Sequence, residues 1–213
     1  MFRGPLKGMT KMSRIDSALS QLNFGEKKAS SDARLGELIL YIADKCAADR
    51  CYGAIKLNKI LFFADFTAFA QHSKSITGAE YMGLPQGPVP RHLVAVREQL
   101  LEEGSITIRR QAFKTKTQER IIPLRDAQLD LFSSSEISLV DSVIAQYWGK
   151  SAKTMSELSH TRIWRLAGTE KGAIPYQAVF ISEDGADAHD AIRLRRLRAK
   201  HGQEKVSAAQ NVR

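Results

Sequence analysis

Residue types that act as nucleophiles, acids, bases or metal ligands are sparse in this chain and poorly spaced for those tasks. Its 213 residues hold five histidines, at positions 72, 92, 160, 189 and 201, and two cysteines, Cys46 and Cys51. No histidine falls at metal-ligand spacing from another histidine or from either cysteine, and the two thiols lack further ligands for a zinc site. Two cysteines five apart do not make a disulfide framework either. They read as small residues at a core edge, near a helix end. No phosphate loop, dinucleotide fingerprint, His-Glu-x-x-His, calcium loop or Gly-x-Ser-x-Gly elbow is present. No carboxylate pair stands apart as an acid–base couple. Catalytic triads assemble in space, so missing motifs lower the expectation of catalysis without removing it. The chain is expected not to be an enzyme, and no cofactor or metal is called for.

What remains is recognition chemistry. Gly87-Pro88-Val89-Pro90 is a stiff segment, because a residue before proline is confined to extended or turn geometry. It reads as a rigid turn, or as a partly apolar loop that binds at low entropic cost. Tyr81, Met82 and Arg91 would extend such a surface, and Tyr and Arg are frequent hot-spot types. His160 and Trp164, four apart, meet on one face if helical. They read as a packing contact or as a recognition patch. Lys56 and Lys59 are expected on the exposed edge of their helix, with Lys59 available to a partner. Arg109, Arg110, Lys114, Lys116 and Arg120 form the basic cluster of the central region, either a solvated face or a nucleic-acid contact.

Hydrophobic spacing supplies the elements that must hold these residues. Leu35, Leu38, Ile39 and Ile42 predict a first helix over about 33–48. A second, from about Ile55 to His72, is apolar nearly all round and must be buried centrally. Its polar exceptions, Asn58, Asp65 and His72, share one stripe. Turn chemistry fills 75–90, with an extended piece at Ala79–Leu84. Pro88 and Pro90 suit the opening of a third helix that ends at Gly104. Ile106–Ile108 and Arg120–Leu124 flank a polar connector and predict a β-hairpin. Capping boxes at Ser133-x-x-Glu136 and Thr154-x-x-Glu157 announce two more helices. A last basic helix is expected over about 186–200. The expected fold is α+β and mainly α-helical: a bundle of about six helices around a central apolar helix, with a small antiparallel hairpin. Residues 1–33 read as a flexible basic segment, 34–180 as the domain, and 181–213 as a basic helix and tail.

The formal net charge is +9, which invites a nucleic-acid reading. Its distribution argues otherwise. Residues 1–33 carry six Lys/Arg against three Asp/Glu, and residues 190–213 carry seven against two. The stretch between them carries nineteen against eighteen, so the core is nearly neutral and unsuited to a phosphate groove. No run of about 18 apolar residues predicts a membrane span. The first residues lack the apolar stretch of a secretory signal, so the cytoplasm is the expected location.

Four stretches in order resemble the Panacea domain of SocA-like antitoxins. Lys56-Leu57-Asn58-Lys59-Ile60-Leu61-Phe62-Phe63-Ala64-Asp65 is similar to that family's Lys-Leu-rich helix. Gly87-Pro88-Val89 follows about 25 residues on, like the family's turn. Leu131 to Tyr147 resembles its next helix with a late tyrosine. Ser151-Ala152 through Leu158-Ser159-His160 and Trp164 resembles its closing Ser-His-Trp segment. The likeness spans about residues 34–178. It departs at Ile163, where the family often has proline, and at Phe62 or Phe63, where it has tyrosine.

The resemblance implies a non-catalytic bacterial antitoxin of the type II class, encoded beside a small toxin and neutralising it by direct protein–protein binding. A variant of that role is an adaptor that delivers the toxin to a protease. The surface expected to bind comprises Lys59, Tyr81, Gly87, Pro88, Val89, Arg91, His160 and Trp164. A DNA-binding regulator is the alternative: the third helix followed by the hairpin mimics a winged helix, with Arg109, Arg110, Lys114 and Lys116 on the wing. Glu98, Glu102 and Glu103 on that helix oppose this reading, because phosphates repel them.

Overall fold

The computed structural model describes residues 29–113, 116–161, 164–165 and 172–180. Of the segment 1–33 expected to be flexible, residues 1–28 lie outside them, as does the basic helix expected over 186–200; residues 29–33 are not flexible but form the first turn of a helix. Five α-helices and two antiparallel sheets make up the described fold, α+β and mainly helical as the periodicity predicts.

Helix α1 (Ala29–Lys45) lays Leu35, Leu38, Ile39 and Ile42 into the core. Helix α2 (Ala54–His72) is the central element. Its apolar residues point in every direction, and so do its neighbours: helices, a sheet strand and the last turn of the domain all pack on it. The polar stripe on α2 splits as burial deepens. His72 is exposed and Asn58 is partly covered, but Asp65 is fully enclosed. Asp65 survives there because it accepts from the Thr77 amide at 2.7 Å, the Thr77 hydroxyl at 2.5 Å and the Tyr81 hydroxyl at 2.8 Å. Enclosure raises its pKa, and those three donors oppose the rise.

The segment expected to be a rigid loop is instead a strand. β1 (Tyr81–Leu84) and β2 (Gly87–Pro90) form a tight hairpin in which Leu84 faces Gly87 and Tyr81 faces Pro90. Pro85 and Gln86 make the turn. β2 tolerates two prolines because it is an edge strand: the sheet order is β2–β1–β5, with β5 (Ala173–Ile174) on the other side of β1. The prolines therefore do not open a helix. Helix α3 (Leu93–Glu102) starts three residues after Pro90 and closes at Gly104, whose φ is +68°.

β3 (Ile106–Phe113) and β4 (Lys116–Pro123) form the predicted second hairpin, with longer strands than the β-branched runs suggest. A single 3-10 turn (Leu129–Leu131) leads to α4 (Ser134–Tyr147). Its Ser133–Glu136 capping box forms as read, and Gly149 follows with φ +71°. Helix α5 (Ala152–Ser159) starts two residues before the expected box, because Ser151 is its cap and accepts from the Thr154 amide. A closing 3-10 turn (Tyr176–Phe180) stacks Tyr176 against Phe66 and Phe69 of α2.

Candidate functional site

The two lysines of α2 are not on an exposed edge. Each is 1% exposed, and each spends its ammonium on acceptors within the chain. Lys56 pairs with Asp49 at 2.5 Å and donates to the Lys150 carbonyl at 3.1 Å. Asp49 also accepts from the Cys51 and Gly149 amides. This knot ties the corner between α1 and α2 to the corner between α4 and α5. The charge is tolerable in the interior because it is paired and hydrogen-bonded.

Lys59, one turn on, has no such carboxylate. Its Nζ donates to the Pro88 carbonyl at 2.9 Å beneath the β1–β2 hairpin. Burial pulls its pKa down to about 7, since the charged form is the one that loses solvation. Gly87 permits this close approach. It has a φ of +101°, and a Cβ there would stand 2.6 Å from Lys59 Nζ and 2.4 Å from Ser159 Oγ. Lys59, Gly87 and Ser159 thus pack at one point, where α2, β2 and α5 converge.

Above that point lies a second, more open layer. Ser156 Oγ donates to the Gln86 carbonyl at 2.8 Å and lies 3.3 Å from His160 Nε2. The His160 ring stacks on Trp164 with centroids 3.7 Å apart and planes 6° from parallel. The stack forms although α5 ends at Ser159 and His160 is its cap residue. Trp164 Nε1 donates to the Leu84 carbonyl at 2.9 Å, so the indole is pinned to the hairpin. His160 has its pKa lowered by burial first and by the Lys59 charge second, which favours a neutral ring at pH 7. His160 and Trp164 are partly exposed, the turn residues Pro85 and Gln86 are exposed, and Leu158 is 47% exposed beside them.

Of the residues expected to form the binding surface, Lys59, Gly87, Pro88, His160 and Trp164 come together. Only His160 and Trp164 of these reach solvent; the other three are the support underneath. Tyr81 is buried and serves Asp65, and Val89 is all but covered. Arg91 is exposed but stands apart, paired with Glu80 at 3.1 Å. Ser156 and Gln86 were not singled out by sequence, and Ser159 entered only as part of the closing stretch of the family likeness. The Ser156, Ser159, His160 spacing of three and four places them on one helical face and was the available signal.

On the second hairpin Arg109 and Arg110 are exposed, but Arg110 is paired with Glu119 at 2.8 Å. Arg120 is buried and donates to the carbonyls of Cys46, Ala47, Asp49 and Tyr52, which closes the end of α1. The side chains of Lys114 and Lys116 lie outside the described residues. No cluster of three His, Cys, Asp or Glu residues that could hold a metal occurs among the described residues, and no described helix is long and apolar enough to cross a membrane. Cys46 is buried, and burial pushes its thiol up to about 12.

The family model for the antitoxin SocA-like, Panacea domain matches residues 57–165, about half of the chain. This chain belongs to that family. No curated protein and no solved structure gave a match. The segment matched to the Panacea domain runs from α2 through the His160–Trp164 stack. It therefore contains every member of the convergent cluster, from Lys59 to Trp164. The Lys56 staple and the Arg120 corner each join a residue of this span or its border to the preceding α1–α2 corner.

Proposed function

We propose that this Panacea-domain protein is a cytoplasmic, non-catalytic type II antitoxin that neutralises a protein toxin by binding it directly. The recognition surface is the Pro85–Gln86 turn, Leu158 and the His160–Trp164 stack. One observation carries this reading. The stack is partly exposed, yet His160 Nε2 and the Trp164 indole N–H are already engaged from beneath, by Ser156 and by the Leu84 carbonyl. What it offers outward is an aromatic face fixed before any partner arrives. Such a face loses little entropy on binding, and aromatic anchors dominate interface energetics.

The DNA-binding alternative has weaker support. Glu98, Glu102 and Glu103 are exposed on or beside α3, the helix that would have to enter a groove. An adaptor role uses the same surface and differs only in the toxin's fate.

Co-expression with the product of the adjacent small gene tests the proposal, scored by host growth and co-purification. Wild type is expected to rescue growth and form a complex. Leu158→Asp and Gln86→Lys are expected to abolish both while leaving the thermal midpoint unchanged. Full rescue by those variants would remove the surface from consideration. Rescue without a stable complex, lost in a protease-deficient host, would assign the adaptor role.

A further inference from the structure

The β3–β4 hairpin sorts its charges by face. Arg110 lies opposite Glu119, and the two are ion-paired. One residue along, on the other face, Arg109 lies opposite Arg120. Like charges directly across an antiparallel pair repel, so this register is unfavourable in isolation. Arg50, from the corner between α1 and α2, faces the same space. Together with Ala47 and Phe113, Arg50, Arg109 and Arg120 line a cavity of about 560 Å³ with no acidic residue in its wall among the described residues.

Arg120 is 3% exposed; its terminal nitrogens are taken up by four carbonyls, and its Nε has no partner. Arg50 and Arg109 are exposed, and neither has an ion-paired or hydrogen-bonded side-chain partner among the described residues. The one carboxylate of this corner, that of Asp49, is committed to Lys56. Two free guanidinium groups over a third, buried one make a concave, uncompensated positive site.

We propose that this cavity binds a small phosphate-bearing molecule of nucleotide size. Its volume lies within the range of small-ligand sites. Guanidinium groups engage phosphate oxygens by paired, charge-assisted hydrogen bonds, and binding relieves the Arg109–Arg120 repulsion. Phe113 and Ala47 supply an apolar wall for the rest of the ligand. A duplex is disfavoured because the site is a single pit, with neutralised Arg110 on the far face. This site is separate from the toxin-binding surface and does not depend on that reading.

Calorimetric titration of the full chain at low salt tests it, with pyrophosphate, ADP and adenosine as probes. Pyrophosphate and ADP are expected to bind and adenosine is not. Arg50→Ala/Arg109→Ala is expected to weaken both at least tenfold with an unchanged thermal midpoint, whereas Arg110→Ala leaves them unaffected. Absence of binding overturns the proposal. So does binding that survives the double substitution, which would assign it to the basic tails. Short duplex DNA that binds through Arg109 where pyrophosphate does not overturns it in favour of nucleic acid.

Discussion

Lys59 Nζ lies 2.9 Å from the Pro88 carbonyl oxygen, a buried ammonium held by a strand edge rather than by a carboxylate. Burial lowers its pKa from 10.5 to about 7. Between those values the unfolded chain keeps a proton that the folded chain has released. Stability contributed by this group therefore rises with pH across that window, and the penalty is full below it. Lys59→Met removes the titration. The stability difference between wild type and Lys59→Met, from urea unfolding at pH 7, 8 and 9, is expected to shift toward wild type with each step. Parallel pH profiles would show that Lys59 is solvated.

Gly87 is predicted to be the least replaceable glycine of the hairpin. An alanine there has to adopt a φ of +101° and meets Lys59 Nζ and Ser159 Oγ well inside contact distance. Strain and overpacking together are expected to cost about 2–4 kcal/mol. Gly104 has a similar positive φ but open space around it, so Gly104→Ala is expected to cost about 1 kcal/mol from backbone strain alone. Chemical denaturation of the two variants checks the ordering, and equal costs would mean that the convergence at Gly87 is loose.

The helices were readable because their signals are local. Ser133 and Glu136 cap α4 as a three-residue spacing predicts, and the all-round apolarity of α2 requires a central position. The β2 strand was not readable, since Gly-Pro-Val-Pro is turn chemistry unless the segment is an edge strand, which only the pairing with Tyr81–Leu84 decides. Lysine burial was misread for a related reason. Two lysines three apart on a helix look like a solvated edge, and their acceptors, Asp49, Lys150 and Pro88, lie elsewhere in sequence. The His160–Trp164 stack was legible from spacing, but the indole's anchor at Leu84 is 80 residues away and carries no sequence signal.

Asp49 and Lys56 are predicted to be unequal partners. Removing the carboxylate in Asp49→Ala leaves a buried ammonium unpaired and orphans the Cys51 and Gly149 amides. Loss of one partner of a buried pair costs about 3–5 kcal/mol. Lys56→Met leaves Asp49 with both amide donors and fills the same space, so a smaller loss is expected. Urea unfolding of both variants decides it; a larger loss in Lys56→Met would put the energy of the knot in the lysine.

His160 should report the charge state of Lys59. Its pKa is lowered first by burial and second by the Lys59 ammonium, while Glu157 acts in the opposite sense and Arg165 in the same one. Lys59→Met deletes the second cause and leaves the Trp164 stack in place. The His160 imidazole, followed by NMR titration, is expected to titrate below 6.5 in the wild type and to move upward in Lys59→Met. Glu157→Gln is expected to move it further down, since the one opposing carboxylate is gone. Because Lys59 itself sheds its proton near pH 7, its charge is present in the lower part of the range in which His160 titrates and falls away toward the upper part. The coupling should therefore appear in Lys59→Met as a midpoint displaced upward together with a sharper curve. An unmoved midpoint in Lys59→Met would mean that solvent screens the two groups, and that the layer beneath the stack is open to water.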